Sequence, residues 1–87
     1  MPKFLRLDDV VQPVAVLFGT RLKERRTVLK LTQAQLFDQT GITTAYISAI
    51  ERAQANPTLD MMVKLAEAVG LEVWDMIRPG NASGDQR

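Results

Sequence analysis

Across residues 14–29, large apolar side chains return at helical spacing. Phe18, Leu22 and Leu29 fall near one stripe, and arginine and lysine occupy the rest of the circumference, as in an amphipathic helix that turns one face to a core. Thr32 opens a second helix. Its hydroxyl can accept from a first-turn N–H while Gln35 reaches back, a T-x-x-Q capping box, and Gly41 ends the helix because glycine turns left-handed cheaply. Thr43 is the expected N-cap of a third helix running to Arg52. At ~100° per residue, Ile47 and Ile50 point one way with Tyr46 at their border, and Thr44, Ala45, Ser48, Ala49 and Arg52 point the other. Asn56-Pro57 breaks the chain. Thr58 caps a fourth helix whose stripe is Leu59, Met62, Val63, Ala66 and Val69, and Gly70 stops it. Residues 73–77 suit a short fifth helix, but Leu71-Glu72-Val73-Trp74 also suits a strand.

The expected architecture is all-α: a compact four- to five-helix domain over 14–78 with a helix-turn-helix at its centre. An N-terminal arm (1–13) of unassigned structure precedes it, and a mobile tail (79–87, PGNASGDQR) without apolar anchors follows. Eighty-seven residues make one domain, since compact domains usually run to ~100–150. A chain this short buries only ~60% of its unfolded surface, so each large apolar residue matters.

Composition removes several kinds of chemistry. The chain has neither cysteine nor histidine, so disulfides, thiolate zinc sites and imidazole bases are unavailable. Ser48 and Ser83 have no imidazole partner, and the acidic residues do not cluster at metal-loop spacing. No enzyme activity, cofactor or metal site is expected. The longest apolar run, 14–18, is far short of the ~20 residues of a membrane helix, so no membrane association is expected. Asp8, Asp9 and Pro13 interrupt anything resembling a signal-peptide core. A cytoplasmic setting fits these features.

Net charge is only +1, but it is unevenly spread. Residues 20–58 hold six basic side chains (Arg21, Lys23, Arg25, Arg26, Lys30, Arg52) and three acidic ones, whereas residues 59–87 hold three basic and five acidic. A field this lopsided suits a polyanion against the basic front; a solvated helix face explains the basic run equally well.

A helix, a short turn containing glycine and a second helix form a helix-turn-helix, in which the second helix enters the major groove of DNA. A groove-reading helix must be apolar inside and not too bulky outside. The small face of the third helix meets that demand. The segments LTQAQL, GITTAYISAIER and NPTLDMMVKLAEAVGLEVWDMI go further: they resemble the phage repressor/Cro family of helix-turn-helix domains over residues 18–77. The pieces that carry the resemblance are Thr32-Gln33, Gly41-Ile42, Tyr46-Ile47-Ser48 with Glu51, and Asn56-Pro57-Thr58.

The resemblance implies a sequence-specific double-stranded DNA-binding regulator, a repressor-type autoregulator. It puts Thr44, Ala45 and Ala49 at base-reading positions, with Thr43 and Ser48 beside them. The alanines can touch thymine methyls and the hydroxyls can pair with base edges; helix propensity alone also accounts for the alanines. None of these residues makes a bidentate bond to a base, so DNA shape must carry part of any specificity. Gln33 stands where family members bond a phosphate, although it can equally solvate the first turn. Tyr46, Arg52, Lys30 and the basic face of the first helix join it as expected phosphate contacts. Arg26, six residues before Thr32, and Glu51 occupy the positions of a family ion pair.

Three departures stand out. Phe37 replaces a small residue at the approach of the second and third helices, which calls for repacking or a wider crossing. Lys30 and Ala53 replace glycines after the first and third helices, and both resist a left-handed conformation.

One domain contacts one half-site, so a homodimer is implied. Leu71, Trp74, Met76 and Ile77 offer a compact apolar surface for its twofold, unless Trp74 completes the core. The arm, residues 4–11, is a second element that protomers can exchange. No ligand-binding domain follows, so no small-molecule inducer is expected. Two other readings fit the same domain: an antitoxin-type partner of a toxin enzyme, or a purely protein-binding helical module.

Overall fold

In a computed structural model the chain folds into α1 (Leu7–Val28), α2 (Gln33–Thr40), α3 (Thr44–Glu51), α4 (Leu59–Ala68) and α5 (Val73–Ile77). The structure describes the backbone of residues 7–79 and the side chains of residues 14–79. The expected tail beyond Pro79 and the first residues of the expected arm lie outside the described residues, as does the exchange of the arm between protomers. The later part of the arm, whose structure the sequence leaves unassigned, is helix. Residues 7–13 are helical and continuous with α1, with Pro13 inside the helix, where it has no N–H to donate to a preceding carbonyl.

Three threonines set three helix starts. The hydroxyls of Thr32, Thr43 and Thr58 accept from the backbone N–H groups of Gln35, Tyr46 and Met61 at 3.0–3.1 Å. The box at α2 is complete, because the Thr32 N–H donates to Gln35 Oε1 at 2.8 Å. Between the helix and strand readings of residues 71–77, the structure gives helix at Val73–Ile77, with Leu71 and Glu72 outside it. The Asp75 carboxylate accepts from the Glu72 N–H at 3.0 Å, pinning the first turn of α5.

The helix ends share a motif. After α1, α3 and α4 the chain closes with paired backbone bonds, Lys30 N–H to Thr27 C=O with Leu31 N–H to Arg26 C=O, and likewise from Ala53 and Gln54, and from Gly70 and Leu71. This Schellman closure needs a left-handed residue. Gly70 takes it freely at φ 78°, but Lys30 and Ala53 are driven to φ 61° and 59°. Their resistance is overridden by the two hydrogen bonds at each turn. Relief of the left-handed cost, ~1–2 kcal/mol, exceeds the added chain entropy of glycine, so Ala53→Gly should stabilise by about 0.5–1 kcal/mol. A urea titration reads this as a higher midpoint at unchanged slope.

The core is Phe18 and Leu22 from α1, Leu36 from α2, Ile42 from the turn, Ile47 and Ile50 from α3, Leu65, Ala66 and Val69 from α4, and Met76 from α5. The helices α1 and α3 pack together, α2 spans α3 and α4, and α5 closes against α1 and α4. The expected stripes shift in detail. Leu29 is exposed because α1 ends at Val28 and the chain turns, and Leu59 and Val63 lie outside the core of α4, where Leu65 takes the central place. Phe37 is 44% exposed. Its ring stays at the surface of α2 while Leu36 fills the interior, so the sequence departure requires no wedge between α2 and α3.

The basic face of α1 is also corrected in part. Arg21 donates to the carbonyls of Asp75 and Arg78, and Arg25 Nε donates to the Val69 carbonyl at 2.9 Å. These guanidinium groups cap carbonyls at the C-terminal ends of α4 and α5, where cations are favoured. They tie α1 to the back of the domain instead of facing outward, and Lys23 remains an exposed cation of that helix.

Candidate nucleic-acid interface

Between Thr43 and Arg52 the chain divides by size. Ile47 and Ile50 are buried, which anchors α3 on its inner side. Thr43, Thr44 and Ala45 are exposed at its N-terminal end, Ser48 and Ala49 are half-buried behind them, and Arg52 is exposed at its C-terminal end. All five expected base-reading residues therefore lie along one outward strip, and its most accessible part is the first turn. The Thr43 hydroxyl oxygen accepts the capping bond from Tyr46 N–H, so toward a ligand Thr43 offers its O–H as donor.

The strip is held by one polar cluster. Glu51 Oε2 accepts from Arg26 Nε at 2.7 Å and Glu51 Oε1 accepts from Arg26 Nη2 at 3.0 Å, the parallel two-point geometry that makes arginine–carboxylate pairs strong. The pair is well shielded, with the two side chains 15% and 4% exposed. Arg26 Nη1 also donates to the Leu31 carbonyl at 3.0 Å, and Gln33 Nε2 donates to Glu51 Oε1 at 3.1 Å. Three helices thus meet at one carboxylate, α1, the first residue of α2 and the last of α3, and Arg26 ties the turn after α1 to the same cluster. The hydrogen bond from Arg26 to Glu51, helped by their opposite charges and opposed by burial, holds the guanidinium ionisation further above its ordinary value.

Gln33 keeps one amide N–H beyond that bond, and the N–H groups of Gln33 and Ala34 open α2 without an intrahelical partner. Lys30 is exposed in the turn just before. Arg52 Nε donates to Gln54 Oε1 at 3.2 Å, and its Nη1 donates to the Ser48 hydroxyl, which lays the guanidinium along the strip. Tyr46 departs from expectation. Its hydroxyl donates to the Asn56 carbonyl at 3.2 Å, so its one proton is engaged in fastening the loop after α3 and is not available to a phosphate.

In α5, Trp74 is 57% exposed while Met76 is fully buried. Met76 is a core residue and leaves the expected dimer surface; Ile77 in α5 and Leu71 just before it are half-buried. Patterning singled out neither the Gln33–Glu51 bond nor Gly19, a buried glycine of α1 whose neighbour is α3. A glycine kept inside an amphipathic helix is the signal that could have found it, because such a residue costs ~1 kcal/mol relative to alanine. Among the described residues no group of acidic side chains is placed to hold a metal, and no helix is long and apolar enough to cross a membrane.

Comparison with known proteins agrees with this geometry. Residues 22–73 match the family described as Helix-turn-helix. The immunity repressor protein of Bacillus phage phi105 is 38% identical over 55 residues, which is 63% of this chain and 38% of that repressor. An uncharacterised HTH-type transcriptional regulator of Sinorhizobium fredii is 30% identical over 63 residues, 72% of this chain and 82% of the relative. Among solved structures, the restriction-modification controller protein C.AhdI from Aeromonas hydrophila superposes with a TM-score of 0.67 at 37% identity, over 71% of this chain and 94% of that one. With more than half its length inside the family's boundaries, the chain belongs to the phage repressor/Cro-type helix-turn-helix family of DNA-binding transcriptional regulators.

Proposed function

We propose that the protein is a sequence-specific, repressor-type autoregulator that binds double-stranded DNA in the cytoplasm as a homodimer, with α3 in the major groove. The observation that carries this reading is the outward strip from Thr43 to Arg52, exposed at Thr43, Thr44, Ala45 and Arg52 and half-buried at Ser48 and Ala49, on a helix clamped at Glu51. An α-helix with its side chains is ~10–12 Å across and the major groove is ~12 Å wide. Short side chains let the helix axis approach the base edges closely.

In this arrangement Thr44 and the Thr43 hydroxyl hydrogen-bond to base edges, Ala45 and Ala49 meet thymine methyls, and Ser48 reads from within its contact to Arg52. Gln33, Lys30 and Arg52 hold phosphates, joined by Lys23. Tyr46 supports the loop behind the strip. The strip contains no side chain able to make a bidentate base contact, so groove shape contributes to the choice of site. Two protomers meet through Trp74, Leu71 and Ile77, and two half-sites lie ~34 Å apart. The likeness to a phage immunity repressor and to a restriction-modification controller supports the regulatory reading.

Titrating duplex binding against salt tests it. With three cationic side chains per protomer on phosphates, log affinity should fall linearly with log salt at a slope of about −5 for the dimer. Absence of duplex binding even at low salt would remove DNA as the ligand and leave a protein-binding module.

A further inference from the structure

The helices α1 and α3 touch at one place where no side chain fits. A Cβ built on Gly19 would overlap the carbonyl oxygen of Ile50 and lie 3.0 Å from that of Glu51. Both obstacles are backbone, so neither can rotate aside. Gly19 is itself buried, and Phe18 and Leu22 flank it in the core. The backbone of α1 therefore lies directly against the last turn of α3, which also carries Glu51 of the clamp.

We infer that Gly19 is a positioning residue for DNA recognition: it lets α3 seat against the backbone of α1 and so sets the angle at which the outward strip meets a duplex. The inference rests on the proposed DNA-binding role but concerns a residue that touches no DNA. Its logic is mechanical. A methyl at position 19 pushes the C-terminal end of α3 away from α1, while the N-terminal end stays fastened through the turn at Gly41 and the buried Ile42. The helix pivots. Base contacts demand alignment within a fraction of an ångström, whereas phosphate contacts by long, exposed Lys23, Lys30 and Arg52 adjust to a small tilt.

The test compares the full chain with Gly19→Ala, and with the exposed neighbour Thr20→Ala as control. Each is assayed on the duplex selected by the unaltered protein, on random-sequence duplex at low salt, and by backbone amide exchange. For Gly19→Ala, affinity for the selected duplex should fall at least tenfold while random-duplex affinity changes less than threefold. Exchange should quicken at residues 47–54 and stay unchanged in α4. Thr20→Ala should match the unaltered protein in every assay. Equal losses on both duplexes, or no loss on either, would overturn the inference. If the unaltered protein binds no duplex, the DNA-binding reading fails, and the exchange pattern alone decides whether Gly19 seats α3. Should Gly19→Ala lose its fold, the same change is made in the Ala53→Gly background, where the relieved turn offsets part of the loss. A chain unfolded in that background too would make Gly19 a requirement of the fold and not of alignment, which also overturns the inference.

Discussion

Glu51→Ala should lower the unfolding free energy by about 3–5 kcal/mol, because it strands a shielded charge. The carboxylate is 4% exposed and accepts three hydrogen bonds, two from Arg26 and one from Gln33. Without it the Arg26 guanidinium, itself 15% exposed, keeps only its bond to the Leu31 carbonyl, and the Gln33 amide loses its acceptor. Domains of this size are stable by ~5–15 kcal/mol in total, so a loss of this order leaves a substantial unfolded fraction near physiological temperature. Urea denaturation measures it directly. Replacing both partners by apolar residues, Arg26→Met with Glu51→Leu, should recover most of the loss, since a buried pair exchanged for hydrophobic contact is often nearly neutral. A loss below about 1 kcal/mol for Glu51→Ala would class the pair with exposed surface bridges. The arginine side of the pair adds no pH dependence near neutrality. Its folded-state ionisation is raised, so its stabilisation is complete below the ordinary arginine value and is lost only as pH climbs through the raised one.

The second large effect has the opposite character: the fold survives and binding does not. Ala45 is exposed in the first turn of α3. A carboxylate placed there meets the positive end of the helix dipole, which is worth ~0.3–1 kcal/mol in favour of the folded chain. Ala45→Glu should therefore melt at or slightly above the temperature of the unaltered protein. Against DNA the same carboxylate is thrust between phosphate walls, where like charges cost several kcal/mol, so duplex affinity should drop by roughly a hundredfold or more. Thermal melting by circular dichroism and a binding isotherm at low salt separate the two. A change in affinity under threefold with an intact fold would show that the first turn of α3 does not face DNA.

Local signals proved the most legible. The three threonine caps, Gly41 and the breaks around Asn56-Pro57 lie in contiguous residues, so their hydrogen bonds could be anticipated without knowing the packing. Family resemblance supplied the Arg26–Glu51 pair, which no local pattern reveals because its members are 25 positions apart. What escaped was three-dimensional. The arginines of α1 look like a solvated or DNA-facing stripe, yet Arg21 and Arg25 turn inward to carbonyl ends that only the fold brings near. Met76 and Trp74 are both apolar residues of one short helix, and five residues are too few for periodicity to say which one faces the core. The same limit applies to Leu59 and Val63, which fit the helical stripe of α4 but fall on its flank. Phe37 raised an expectation of repacking or a wider crossing, but its ring stays at the surface of α2.

Selection of bound fragments from random-sequence duplex DNA addresses most directly whether α3 is a groove-reading helix. The expected outcome is one short motif, enriched as an inverted pair with half-site centres ~34 Å apart, whose preference relaxes when Thr44 is replaced by alanine. A pool that stays unenriched through successive rounds, from a folded protein at low salt, would contradict the assignment of the strip from Thr43 to Arg52 as a DNA-reading surface.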